Sequence, residues 1–159
     1  MVEDNDSAEM TSVLCSVRGV FVIISTGGIA PLVVLSDGTG RVLPIFIGFP
    51  EAVSINSAYI KEIPPRPFTH DLFIETLDKF GVSVQSLQID AINDGVYYAQ
   101  LVFSIDHKEE RVDCRPSDGI ALALRKNAPL FVEEAVLESA GQAFENLPQM
   151  VDLDTFLKR

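Results

Sequence analysis

Two short stretches hold most of the residues in this chain that could do chemistry together: "RPFTHDL" (Arg66 to Leu72) and "RPSDGI" (Arg115 to Ile120). Each opens with Arg-Pro, continues with a hydroxyl residue and an aspartate, and then enters an apolar helical pattern. Arg66 and Arg115 carry planar guanidinium forks that match phosphate oxygens. Asp71, Asp113 and Asp118 are hard oxygen donors of the kind that hold a divalent cation, Mg²⁺ or Mn²⁺, and Glu51 is an outlying candidate. His70 supplies an imidazole, the side chain best suited to moving a proton near neutral pH. The chemistry that uses all of these is phosphodiester hydrolysis. In that reading His70, Asp71, Asp113 and Asp118 are catalytic, the three aspartates hold the metal, and Arg66 and Arg115 bind substrate. It requires the two Arg-Pro stretches to lie side by side.

A plainer account explains part of the same pattern. Thr69 reads as an N-cap, with Asp71 in the first turn where the helix dipole favours a carboxylate. Pro116 suits a first helical position, and Ser117 or Asp118 can satisfy loose backbone donors. Arg66 and Arg115 would then clasp Asp71 and Asp118 as structural ion pairs. Both accounts stay open at this level. No Gly-rich phosphate loop or Gly-x-Ser-x-Gly elbow, and no D-x-D pair within the two stretches, decides between them.

The elements that must position these residues follow from the apolar spacing. A β-branched run over Val13 to Ser25, a second over Pro31 to Ser36 and a third over Arg41 to Ile47 form a meander, with Asp-Gly marking the second turn. Pro44 places the third strand at an edge or a bulge. Pro50 and Glu51 start a helix with Ala52, Ile55 and Tyr59 on its apolar stripe. The stiff "IPPRP" connector leads to a helix from Thr69 to Phe80, with Leu72, Phe73, Leu77 and Phe80 inward and Gly81 as its C-terminal stop. "NDG" joins strands over Val82 to Ile92 and Val96 to Ile105, and a further strand over Arg111 to Cys114 precedes a helix over Pro116 to Lys126. "PLFV" and a helix from Glu133 to Ala140 complete the order βββααβββαβα, an α+β fold of mostly antiparallel strands in a single domain. Residues 1–11 read as a flexible acidic end, 12–141 as the folded domain, and 142–159 as a tail with a short amphipathic helix.

Composition narrows the class. The 159 residues are 47% hydrophobic, which suits one globular domain. Cys15 and Cys114 have no metal-type spacing, and a reducing compartment with two unbonded thiols is the economical expectation. There is no opening signal pattern and no apolar run near membrane-spanning length, so the expectation is a cytoplasmic protein without a membrane partner. Twelve Lys and Arg against 23 Asp and Glu leave a net charge of −11. Such a balance opposes non-specific phosphate binding, although a salt-adapted source would give the same acidity for other reasons. The long first strand and the Pro44 strand leave sheet surface for self-association, with a dimer favoured.

Four stretches together, "RVLPIFIGFPEA", "RPFTHDL", "DGVYYAQLVF" and "DCRPSDGIALALRKNAPLFVEEAVL", resemble the bifunctional nuclease domain family, and the likeness covers roughly Val13 to Ala140. The resemblance implies an α+β domain, often oligomeric, with nuclease activity on DNA and RNA. It directs attention to His70, Asp71, Asp113, Arg115, Ser117 and Asp118, which lie in its two most recognisable motifs. Cys114 and Gly119 stand where small residues such as alanine are usual in the family. The alternative from another class is a non-catalytic regulatory or binding module for a small anion or a protein partner.

Overall fold

The computed structural model describes residues 11–158, so the acidic run 1–10 lies outside the described residues. The chain runs β1 (Ser12–Ser25), β2 (Gly28–Ser36), β3 (Arg41–Phe46), α1 (Phe49–Tyr59), α2 (Thr69–Lys79), β4 (Ser83–Asn93), β5 (Val96–Ile105), β6 (Lys108–Cys114), α3 (Pro116–Lys126), β7 (Leu130–Glu133) and α4 (Glu134–Ala140). This is the expected βββααβββαβα order. The tail adds β8 (Gln142–Ala143), a 3-10 turn at Phe144–Asn146, β9 (Val151–Asp152) and α5 (Leu153–Leu157). It packs back on the domain: β8 pairs with β3, β9 pairs with β1, and Leu153 is fully buried.

The strands form one sheet in the order β6-β5-β4-β7-β1-β2-β3-β8, with β9 attached to β1. Among the described residues only the β4–β7 pair is parallel; β5, β6 and α3 supply the long crossover that a parallel pair needs. The unusual length of β1 has a topological reason. Residues Ser12 to Cys15 pair with β7, and from Ser16 onward the same strand pairs with β2, through an irregularity at Val17/Gly19. One strand therefore joins the two halves of the sheet. Pro44 lies opposite Val34 of β2, while β8 covers only Arg41 and Val42, so its missing N–H faces an open edge.

The core lies between this sheet and the helices. Val20, Val33, Leu35, Leu43 and Ile45 from one half meet Leu87, Ile89, Ala99 and Leu101 from the other, with Ile55 of α1 and Ile120 of α3 packed on them. Full burial of an Ile or Leu contributes about 1.5–3 kcal/mol, so this seam holds α1 and α3 firmly. Gly119 sets how closely α3 approaches the sheet. A Cβ there would collide with Leu87 of β4 and crowd Cys114 Sγ.

One expectation is corrected here. Leu72, Phe73 and Phe80 of α2 do not face inward; Leu72 is 60% and Phe80 78% exposed. The helix rests chiefly on α3 rather than on the sheet, so only its narrow side, including Ile74 and Leu77, meets the core. Cys15 and Cys114 are both free thiols, as expected. Burial pushes each up to about 11, which leaves them poor nucleophiles.

Candidate active site

The starts of α1, α2 and α3 converge on one open cavity of about 300 Å³, lined by Glu51, Ser54, Phe68, His70, Arg115 and Asp118 among others. Local chemistry explains each start. At α2 the boundary residue is Phe68, in extended conformation, and Thr69 is already helical. The expected cap at Thr69 is thereby corrected. The Phe68 N–H instead donates to the Asp71 carboxylate at 2.9 Å, so a carboxylate three residues on closes the turn. At α3, Arg115 is the extended boundary residue and Pro116 opens the helix, which puts Asp118 in the first turn. At α1 the boundary is Gly48, over which the Glu51 carboxylate folds back; a Cβ at 48 would collide with it.

The two Arg-Pro starts meet, as the catalytic reading requires. His70 Nε2 lies 2.9 Å from Asp118 Oδ1, across 48 residues of sequence. On the other side of the ring, His70 Nδ1 is 2.6 Å from Ser54 Oγ. Arg115 donates from Nε to Asp118 Oδ2 at 2.8 Å, and from Nη2 to Asp118 Oδ1 at 3.1 Å and Glu51 Oε1 at 3.3 Å. Beneath this row lies Arg125, whose side chain is only 8% exposed. It donates to Asp71 Oδ1 at 2.7 Å, to the Ala121 carbonyl at 2.9 Å, and to both the carbonyl and the Oγ of Ser54 at 3.3 and 3.1 Å.

Asp118 can only accept, so the His70 Nε2–H points at its carboxylate, while Ser54 Oγ can accept from Arg125 and still donate its own proton to His70 Nδ1. Burial alone would raise the Asp118 carboxyl, but its bonds from Arg115 and His70 outweigh that and hold it below the usual range. Asp71 behaves alike: burial opposes, while Arg125 and the Phe68 amide prevail and lower it. A carboxylate depressed in the fold stabilises it above the ordinary carboxylate pKa, and that contribution is lost as pH falls through the folded value. Unfolding free energy should therefore fall as pH drops below about 4, where unfolded aspartates begin to bind protons. Urea titrations at stepped pH check this, and Asp118→Asn should make the acid slope shallower.

Not every candidate comes to the cavity. Asp113 is exposed on β6 opposite Gln100, outside the cavity lining. The neighbouring Cys114 contacts the Gly119 region of α3, and strand alternation turns Asp113 to the other face of the sheet. Arg66 is exposed, has no ion pair among the described residues, and does not clasp Asp71, whose partner is Arg125. Ser117 is buried and outside the lining. Asp71 is paired with Arg125 and lines a separate cavity beside Tyr59 and Lys61. The three aspartates therefore do not converge on one point, and among the described residues no group of three His, Cys, Asp or Glu is placed to share an ion. The carboxylates that do share the cavity are Glu51 and Asp118.

Ser54 and Arg125 are the residues that spacing alone does not single out. The available signal is the run "SINS" in α1, where Ser54, Asn56 and Ser57 are all buried. Polar side chains in a helix face that packs on the core need partners, either in the helix's own backbone or from another element.

The chain was compared with known proteins. A family model described as Bifunctional nuclease domain matches residues 33–145. An uncharacterized protein of Mycobacterium tuberculosis is 41% identical over 112 residues, covering 70% of this chain and 66% of that protein. Bifunctional nuclease 1 of Arabidopsis thaliana is 33% identical over 116 residues, covering 70% of this chain and 36% of the plant protein. Bifunctional nuclease 2 of the same plant is 30% identical over 110 residues, covering 67% and 33%. The matched segment thus spans just under two thirds of the mycobacterial relative and about a third of the plant ones.

Proposed function

This chain belongs to the bifunctional nuclease domain family, and from that premise we propose that it hydrolyses phosphodiester bonds of DNA, RNA or both at the cavity between its two Arg-Pro helix starts. The observation that carries the reading is the His70–Asp118 bond at 2.9 Å, which joins both starts at one open cavity. His70 is the proton-transfer residue, acting at Nδ1 and held by Asp118. Arg115 is the phosphate clamp. Its side chain is 65% exposed, so it can leave the carboxylates for a phosphate's oxygens without a large desolvation cost. Asp71, through Arg125, keeps Ser54 and α2 in place rather than touching substrate.

A divalent cation, Mg²⁺ or Mn²⁺, belongs to the proposal in a reduced form. Glu51 and Asp118 are the donors that would hold it, completed by substrate oxygens and water, a ligand set that suits Mg²⁺. Bound there, it would neutralise charge developing on the phosphate. The net charge of −11 sets the same requirement from another side, since an approaching phosphate meets general repulsion that local cations must offset. Among the described residues no helix is long and apolar enough to cross a membrane. A homo-oligomer, most simply a dimer, fits the exposed apolar side of α2 at Leu72, Phe73 and Phe80.

The test is cleavage of end-labelled single-stranded and duplex oligonucleotides by highly purified protein, in EDTA and with Mg²⁺ or Mn²⁺ restored. Asp118→Ala is purified in parallel. The proposal expects cleavage by the native chain and loss of it in the variant; equal cleavage by both preparations would identify a contaminant. A second reading, a non-catalytic module for a small anion or protein partner, draws on one observation. Arg115 is already paired with Asp118, and Arg125 with Asp71. On that reading Asp118→Ala melts earlier and no preparation cleaves.

A further inference from the structure

We infer that Ser54 is the nucleophile of this site, aligned by His70 and Asp118, and that cleavage proceeds through a covalent phosphoseryl intermediate. The substrate class rests on the nuclease reading above; the nucleophile itself stands on geometry. Ser54 Oγ, His70 Nδ1, His70 Nε2 and Asp118 Oδ1 form a continuous chain with links of 2.6 and 2.9 Å. Nucleophile, base and orienting carboxylate within hydrogen-bond reach are the signature of an activated serine, and that constellation is recognised by geometry and roles rather than by order in the chain.

Three features separate this serine from an ordinary buried one. A serine inside a helix usually bonds the carbonyl one turn back or faces water. Ser54 does neither: its hydroxyl leaves α1 for the imidazole of α2, and although only 5% exposed it lines the cavity. Arg125 grips it twice, at its own carbonyl and at Oγ. That grip fixes the oxygen and places positive charge beside it, where negative charge grows as the proton departs. Finally, the cavity that Ser54 lines also holds Arg115, which can hold the phosphate while Ser54 attacks it.

The step balances without a further reagent. Ser54 Oγ bonds to phosphorus as the bond from phosphorus to the leaving nucleoside oxygen breaks. The hydroxyl proton passes to His70 Nδ1 and then to the leaving oxygen. Water next attacks the phosphorus, which still carries the other nucleotide, giving its proton to His70 Nδ1, which returns it to Ser54 Oγ as the seryl ester bond breaks. Asp118 accepts the Nε2–H bond throughout. One water is consumed, and a phosphate monoester and an alcohol are released.

The test uses the full chain and a fluorophosphonate probe, which loses fluoride when an activated serine attacks it. Intact mass and peptide mapping should show one adduct per chain, on Ser54. His70→Ala should slow labelling by about a hundredfold or more, the lower range for loss of a general base. Ser54→Ala should remove both adduct and oligonucleotide cleavage while remaining folded, its Tm lowered by only a few degrees. Ser54→Cys guards against a fold defect: iodoacetamide should modify the introduced thiol well before Cys15 or Cys114, whose pKa values are pushed to about 11. The outcomes separate the two claims. An adduct on Ser54 without oligonucleotide cleavage keeps the nucleophile and overturns the nuclease reading. Cleavage by Ser54→Ala within threefold of the native chain overturns the nucleophile and leaves the nuclease reading standing. Neither adduct nor cleavage overturns both.

Discussion

Arg125→Ala should lower the stability of the fold by about 2–3 kcal/mol, or roughly 5–10 °C in Tm for a chain of this size. The side chain is almost wholly buried and holds three elements at once: Asp71 of α2, Ser54 of α1 and the Ala121 carbonyl of its own helix. Truncation would strand the Asp71 carboxylate and the Ser54 carbonyl and open a cavity. Breaking a fully buried pair costs about 3–5 kcal/mol. Asp71 keeps 30% of its side chain exposed, so water can relieve part of that. Arg115→Ala removes an equally visible ion pair at far smaller cost, within about 1 kcal/mol, because an exposed guanidinium has little desolvation to recover. Thermal melts of the two variants side by side check the contrast. Similar losses would mean that Arg125 is not the clamp between α1 and α2.

His70→Ala should lower turnover by about 10²–10⁴-fold. Its expected structural effect is small. The imidazole bonds Ser54 and Asp118, but Arg125 and Arg115 continue to hold those partners after truncation. A net hydrogen bond contributes about 0.5–1.5 kcal/mol, so Tm should move by a few degrees only. Kinetics on an oligonucleotide, with the folded fraction measured by circular dichroism, separate these effects. The Michaelis constant should change less than turnover, since Arg115 remains to bind phosphate. Activity that merely tracked the folded fraction would assign His70 a structural role.

Element order is legible in this chain because its turns carry strong local chemistry. Asn-Asp-Gly closes β4 and β5, Pro-Pro separates α1 from α2, and Arg-Pro opens α3. The meeting of the two helix starts is legible too, since a polar cluster repeated at two helix starts is hard to explain twice over as capping. What periodicity does not reveal is how much of a helix is covered. Leu72, Phe73 and Phe80 carry an inward-looking pattern, yet α2 sits on α3 instead of on the sheet and leaves them in water. Asp113 illustrates a second limit. Its place two residues before Arg115 suggests the same site, but a strand turns successive side chains to opposite faces and sends it away. Ser54 and Arg125 are hidden for a third reason. Their bonds span 16 and 71 residues, and although the polar run around Ser54 signals that partners are needed, nothing in the local chain says which residues supply them.

The claim at the centre of this account is that the repeated Arg-Pro start builds one catalytic site and is not two separate folding devices. The most direct measurement is the rate of oligonucleotide cleavage per folded molecule for the native chain and for Asp118→Asn. That change keeps the size of the side chain and its place in the first turn of α3, but weakens its hold on His70 and Arg115. The account predicts a loss of about a hundredfold or more per folded molecule, on the scale of removing a general base. A rate per folded molecule equal to that of the native chain, with only a lower melting temperature, would contradict it.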